Sequence, residues 1–117
     1  MIQGREKLVG LYEPWRVWCL YWLTYLDQRG FGTIVTSGFR DLNEQKVLYD
    51  EWRAGRRRLP AAAPGKSAHN YGLAIDVWAS NGQQAALMTF LREAGGETVR
   101  GDPPHIQYPG SRRYLGS

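Results

Sequence analysis

Ser67-Ala68-His69-Asn70-Tyr71-Gly72-Leu73-Ala74-Ile75-Asp76-Val77-Trp78-Ala79 is the stretch on which the reading of this chain turns. From Leu73 onward the pattern has a period of two: Leu73, Ile75 and Val77 take one side, while Ala74, Asp76 and Trp78 take the other. That is the signature of a strand with one face on a core, so Asp76 leaves the apolar face. His69 lies seven residues before Asp76, an odd separation that would put the two on opposite sides of an uninterrupted strand. A bend is therefore required between them, and Asn70-Tyr71-Gly72 supplies turn chemistry, since Asn and Gly tolerate positive φ. Ala74, on the Asp76 side, is small enough to leave room for an ion and a water molecule.

The chain has two histidines, and the second ends Asp102-Pro103-Pro104-His105. Two consecutive prolines hold φ near −65° and push the preceding residue into the extended region, which predicts polyproline II from Asp102 to His105. Three residues per turn would then bring Asp102 and His105 to the same side. Histidine is the commonest neutral metal ligand, and a catalytic zinc takes three protein side chains while leaving a fourth position for water. His69, Asp76 and His105 form such a set, with Asp102 placed to take a proton from water at that site. Taken singly, each has a plainer reading, as a surface or turn-bonding aspartate or as a histidine satisfied by other polar groups; the metal reading rests on the set.

Upstream, Thr33 to Ser37 is rich in β-branched residues and reads as a strand. Asp41 followed by Glu44 is a capping-box start for a helix from Leu42 to about Ala54. Arg40 thus falls in the short loop between strand end and helix start, held by rigid elements on both sides. A surface pair with Asp41 or Glu44 is the alternative use of that guanidinium.

With these pieces in view, a family is recognisable. Ser67-x-His69-x-x-Gly72-x-Ala74-x-Asp76 resembles the signature of the zinc D-alanyl-D-alanine carboxypeptidases and L-alanyl-D-glutamate endopeptidases, a group that includes VanY-like enzymes and phage endolysins. Ser37-Gly38-Phe39-Arg40 with Gln45, and Asp102-x-x-His105, resemble two further elements of that group and follow in its order. The resemblance implies Zn²⁺ held by His69, Asp76 and His105, and Asp102 as the catalytic acid and base. It implies that Arg40, assisted by Ser67, binds a carboxylate of a peptidoglycan peptide stem, with Gln45 as a further substrate-binding residue; Gln45 would equally face solvent from its helix. An aspartate before the last histidine, the small size and the lack of an export signal resemble the phage-type L-alanyl-D-glutamate endopeptidases. D-alanyl-D-alanine carboxypeptidase activity is the alternative. The chain departs from the group between 97 and 102, where many relatives carry a tryptophan-containing strand.

At 117 residues, 43% of them hydrophobic and 22% charged, the chain is expected to form one globular domain over 1–117. The net charge of +4, with Arg53, Arg56, Arg57 and Arg58 close together, favours anionic partners such as cell wall or nucleic acid. No nucleic-acid motif accompanies that charge, so a nucleic-acid partner is not expected. A wall-binding module without catalysis is a further alternative, which an intact acid at Asp102 argues against. The lone Cys19 lies in a helical apolar pattern and fits a buried thiol made in a reducing compartment. No signal peptide or membrane span is visible, because Glu13, Pro14 and Arg16 interrupt the apolar run from Leu11 to Leu26. That predicts synthesis in the cytoplasm, action on the wall after release or from a virion, and a monomer.

The remaining elements follow from periodicity. Pro14 opens a helix whose Trp15, Trp18, Cys19, Trp22 and Leu26 share a face, and which ends at Gly30. Residues 55–68 form a Gly- and Pro-rich loop of the kind that lines a cleft. Ser80 and Asn81 cap a helix carrying Leu87, Phe90, Leu91 and Ala94, closed by Gly95-Gly96. Ile106 to Tyr108 extends His105 as a last strand before a polar tail. The expected fold class is α+β: about three helices on a small, largely antiparallel sheet whose opposite face carries the zinc.

Overall fold

The computed structural model describes residues 1–111; residues 112–117, where most of the expected polar tail falls, lie outside the described residues. The strands are β1 (Thr33–Ser37), β2 (Ala74–Ala79), β3 (Glu97–Thr98) and β4 (His105–Gln107), and the helices are α1 (Glu13–Gln28), α2 (Leu42–Arg53) and α3 (Gln84–Glu93). The sheet order is β1-β2-β4-β3 with every neighbour antiparallel, so the expected α+β architecture is observed. No described helix is long and apolar enough to cross a membrane.

One face of the sheet presents Val35, Ile75, Val77 and Ile106 to α1 and α3, and these join Trp15, Cys19, Leu23, Leu26, Leu87 and Leu91 in a single core. On α1 the buried residues are Trp15, Cys19, Leu23 and Leu26, with Trp18 and Trp22 only partly buried, so the stripe is turned toward Leu23 relative to the sequence expectation. Trp22 instead packs edge-on against Phe90 of α3, its ring centroid 5.5 Å away. Cys19 is fully buried among these apolar groups, and burial pushes its thiol well up. It is therefore an inert core residue, remote in character from a metal ligand.

Two local details differ from expectation. Helix α3 starts at Gln84 with no side-chain cap, and Asn81 instead accepts from the Gln83 N–H in the preceding turn. Residues 102–105 are not polyproline II, because the His105 N–H donates to the Asp102 carbonyl at 3.1 Å and closes a turn. Polyproline II has no internal hydrogen bonds; the turn delivers the same-side relation of Asp102 and His105 by a tighter route. Residues 5–8, for which the sequence carried no clear pattern, form a 3₁₀ turn.

The bend between His69 and Asp76 is a 3₁₀ turn, Ala68–Tyr71, closed by Gly72 at φ 68°. The turn is packed under the chain before α1: the Tyr12 N–H donates to the Gly72 carbonyl at 3.0 Å. A Cβ on Gly72 would stand 2.9 Å from both Gly10 O and Tyr12 N. Gly72→Ala is therefore expected to lose about 2–3 kcal/mol of stability, combining the left-handed backbone cost with a shift of neighbours that are themselves backbone. The check is a lower denaturant midpoint at unchanged slope.

Candidate metal centre

The site is written across the sheet in two rows. Register places Ser37 opposite Asp76 and Asp76 opposite His105, so one row crosses β1, β2 and β4. A second row, Ala74, Gln107 and Glu97, crosses β2, β4 and β3 behind it. The first row depends on a register shift between Val35 and Ser37. Regular pairing would set Thr36 opposite Asp76; the extra residue rotates Ser37 onto the site face instead.

His69, carried by the 3₁₀ turn, completes the cluster. His69 Nε2 lies 3.3 Å and His105 Nδ1 3.5 Å from Asp76 Oδ1, and the ligand atoms of all three residues fall within 4.8 Å of one another. Both imidazoles are buried, at 1% and 0% exposure, whereas the Asp76 side chain retains 18%.

The protons on these rings follow from what the other nitrogens face. His69 Nδ1 is 2.9 Å from the Gly38 carbonyl, which can only accept, so Nδ1 carries the hydrogen and Nε2 turns a lone pair toward Asp76. His105 Nε2 is 2.6 Å from Gln107 Oε1. The Gln107 amide is oriented in turn because its Nε2 donates to Glu97 Oε1 at 3.4 Å, and Glu97 Oε2 accepts from the Gly110 N–H at 2.7 Å. His105 Nε2 therefore donates, and Nδ1 offers a lone pair. Asp76 Oδ1 and His105 Nδ1 are buried without a hydrogen-bond partner.

Three electron pairs thus converge on one buried point with no donor among them. Leaving such groups unmet costs on the order of 1–3 kcal/mol each, and a divalent cation answers all of them at once. Imidazole and carboxylate donors suit zinc-type ions, so the residues present fit a metal. Burial works to raise the Asp76 carboxyl, but hydrogen bonds from the His105 and His69 rings in their protonated form prevail and hold it well below the usual carboxylate range. Asp76 is therefore an anion at neutral pH. Burial likewise lowers His105, and Asp76, then Gln107, more than restore it; protons compete with a metal for this ring.

Two groups flank the cluster. Arg40, 8% exposed, brings Nη2 to 3.7 Å from Asp76 Oδ2. It is braced by Gln45 Oε1, which accepts from Nη1, and by Ser37 Oγ, which accepts from Nη2, each at 2.9 Å. Asp41 and Glu44, the alternative partners, are spent on each other in the capping box of α2. On the other side Asp102 Oδ2 lies 3.7 Å from His105 Nδ1, close to the cluster but outside the trio.

Two residues expected to contact substrate are buried. Gln45 is fully buried: its Oε1 accepts from Arg40 and its Nε2 donates to the Ala62 carbonyl at 2.7 Å. It does not face solvent; it positions Arg40 and ties down the loop that carries Ala62. Ser67 is also fully buried, and its Oγ accepts from the His69 N–H at 3.2 Å, so it shapes the turn that carries His69.

Sequence reading passed over Gln107 and Glu97 and gave Asn70 only a place in a turn. Asn70 Oδ1 accepts from the Gly65 and Ser67 N–H groups while Nδ2 donates to the Arg40 carbonyl, joining both sides of the site. For Gln107 a signal was available, since it follows His105 by two residues and a strand puts i and i+2 on one face. Replacing Gln107 by Leu removes the acceptor that sets the His105 tautomer. Zinc affinity is expected to fall about 10–100-fold, measured by competition with a chromophoric chelator.

A candidate metal-ligand trio thus stands on the open face of a small helix-backed antiparallel sheet. Residues 22–110 match the VanY family, described as D-alanyl-D-alanine carboxypeptidase, and the chain belongs to that family. The peptidoglycan L-alanyl-D-glutamate endopeptidase CwlK of Bacillus subtilis is 43% identical over 49 residues, which cover 41% of this chain and 29% of that relative. A D-alanyl-D-alanine carboxypeptidase of Enterococcus faecium is 51% identical over 47 residues, covering 40% of this chain and 14% of the relative. These alignments thus span less than a third of either relative. Among solved structures, a vancomycin-resistance D,D-pentapeptidase VanY in complex with Zn(II) superposes with a TM-score of 0.65 at 21% identity, covering 87% of this chain and 74% of that one. The LD-carboxypeptidase LdcB gives a TM-score of 0.66 at 21% identity, covering 94% and 71%. At that identity the two structures speak to the fold.

Proposed function

We propose that this protein is a zinc peptidase that hydrolyses an amide bond in the peptide stem of bacterial peptidoglycan, and specifically the L-alanyl-D-glutamate bond. The observation that carries the reading is the buried convergence of His69 Nε2, Asp76 Oδ1 and His105 Nδ1, flanked by one cation and one acid. Zinc, when bound by these three residues, supplies Lewis acidity to the scissile carbonyl and lowers the pKa of water to about 7.

The chain's own groups do the rest. Asp102 accepts the proton of the attacking water and delivers it to the departing nitrogen, so one carboxylate serves as base and then as acid. The C–N bond breaks, the hydroxyl remains on the alanyl carbonyl carbon, and the amine leaves protonated. Arg40 receives the carboxylate on the carbon next to that nitrogen, with its guanidinium orientation set in advance by Gln45 and Ser37. Preset orientation lowers the entropy lost on binding.

In both candidate reactions the leaving amine carries an α-carboxylate on its own carbon: D-glutamate in one, terminal D-alanine in the other. Arg40 suits both, and they differ in what lies beyond. Similarity to CwlK over 49 residues supports the endopeptidase reading, and similarity to the Enterococcus faecium enzyme over 47 residues favours carboxypeptidase activity as the second. Mass spectrometry of muropeptides digested with the zinc-loaded protein separates them. Stem fragments beginning at D-glutamate are the expected product; loss of terminal D-alanine alone supports the second reading, and binding to sacculi without any cleavage overturns both.

A further inference from the structure

We propose that the groove between α3 and the β3–β4 connection is the subsite for the leaving half of the stem, with Arg92 receiving a carboxylate of that peptide beyond its first residue. The inference rests on the endopeptidase reading, because only an endopeptidase releases a fragment that continues past the residue next to the cut.

The groove, of about 460 Å³, is lined by Met88, Thr89 and Arg92 of α3 and by Val99, Asp102 and Pro103 of the connection. Its volume lies within the usual range for ligand clefts, about 300–1,000 Å³. Asp102 is the residue it shares with the metal centre, standing 3.7 Å from His105. Asp102 thus borders both the metal centre and this groove, and the chain attached to an amine that Asp102 protonates has the groove as its continuation.

The lining matches such a chain. Met88, Val99 and Pro103 give apolar wall for aliphatic side chains. Arg92 is the one cation among the lining residues; it is solvent-exposed, and no ion pair among the described residues takes it. A stem fragment beyond D-glutamate ends in a carboxylate and carries aliphatic side chains, and guanidinium binds carboxylate as a fork of two hydrogen bonds. The α-carboxylate next to the cut belongs to Arg40, on the far side of Asp76, so the two arginines read different positions of one ligand.

The test compares two substrates on the zinc-loaded protein: N-acetyl-L-alanyl-D-glutamate, whose leaving part ends at D-glutamate, and the full N-acetylated stem peptide. The wild type is expected to favour the long substrate in kcat/KM. Arg92→Ala should cut that preference about tenfold, chiefly through KM, while Arg92→Lys keeps most of it. Thr89→Trp, which fills the groove from an exposed helical position, should act in the same direction with Arg92 intact. Zinc content and melting temperature check that each variant is folded. Cleavage at L-alanine with equal kcat/KM for the two substrates, or a preference that neither variant alters, overturns the groove and leaves the endopeptidase reading standing. Release of D-alanine alone overturns both.

Discussion

Asp102→Ala lowers kcat by about 10²–10⁴-fold while the protein still binds one zinc per chain: that is the expected result, and its size is the usual worth of a positioned acid–base group. The separation of activity from metal follows from geometry. Asp102 Oδ2 is 3.7 Å from His105 Nδ1, and the convergent ligand trio is completed without it. The turn it occupies is held by backbone, since the Asp102 N–H donates to Val99 O and the Asp102 carbonyl accepts from the His105 N–H. Removing the carboxylate therefore leaves His105 where it was. Asp102→Asn keeps the volume and loses the proton-accepting oxygen, so it should be as inactive as Ala. Steady-state kinetics beside elemental analysis reads both quantities, and near-normal turnover in either variant would remove Asp102 from the mechanism.

His69→Ala is the complementary case, in which metal and activity go together. Four-ligand structural zinc sites bind with roughly 10–16 kcal/mol, so one ligand's share is about 3 kcal/mol, on the order of a hundredfold in Kd. Here the loss falls on a site with three protein ligands, and activity should drop to that of chelator-treated wild type. The buried ring also anchors the 3₁₀ turn through its Nδ1–H bond to Gly38, so some stability is lost besides. Measuring zinc affinity and thermal unfolding on the same samples separates the two effects: a variant that is folded, holds zinc as tightly as wild type and remains active contradicts the assignment of His69 as a ligand.

Much of this centre was legible in the chain because its strongest signals are local. The alternation through Ile75, Asp76 and Val77 gave the face of Asp76, β1 spans Thr33–Ser37 as read, and the Asp41–Glu44 capping box opens α2 as read. What escaped is what depends on partners distant in sequence. The extra residue at Thr36 that turns Ser37 inward exists only in relation to β2. Gln45 sat in a plainly exposed-looking first turn, yet Ala62 from the loop covers it. Strand β3 has two residues, too few for any periodicity, and its purpose emerges only when Glu97 is seen opposite Gln107. The Pro103-Pro104 pair suggested an extended rod because φ was considered without the hydrogen bond that closes the turn.

The pairing of Asp76 with His105 makes a single rung of the ladder out of residues 29 positions apart in the chain, and the third ligand arrives from a separate turn. In the denatured polymer these donors are dispersed, so the ion has little to hold there and its binding energy becomes a fastener of the native state. Each tenfold excess of free zinc over Kd should add about 1.4 kcal/mol to unfolding. A scavenging chelator would then act on this fold as a mild denaturant.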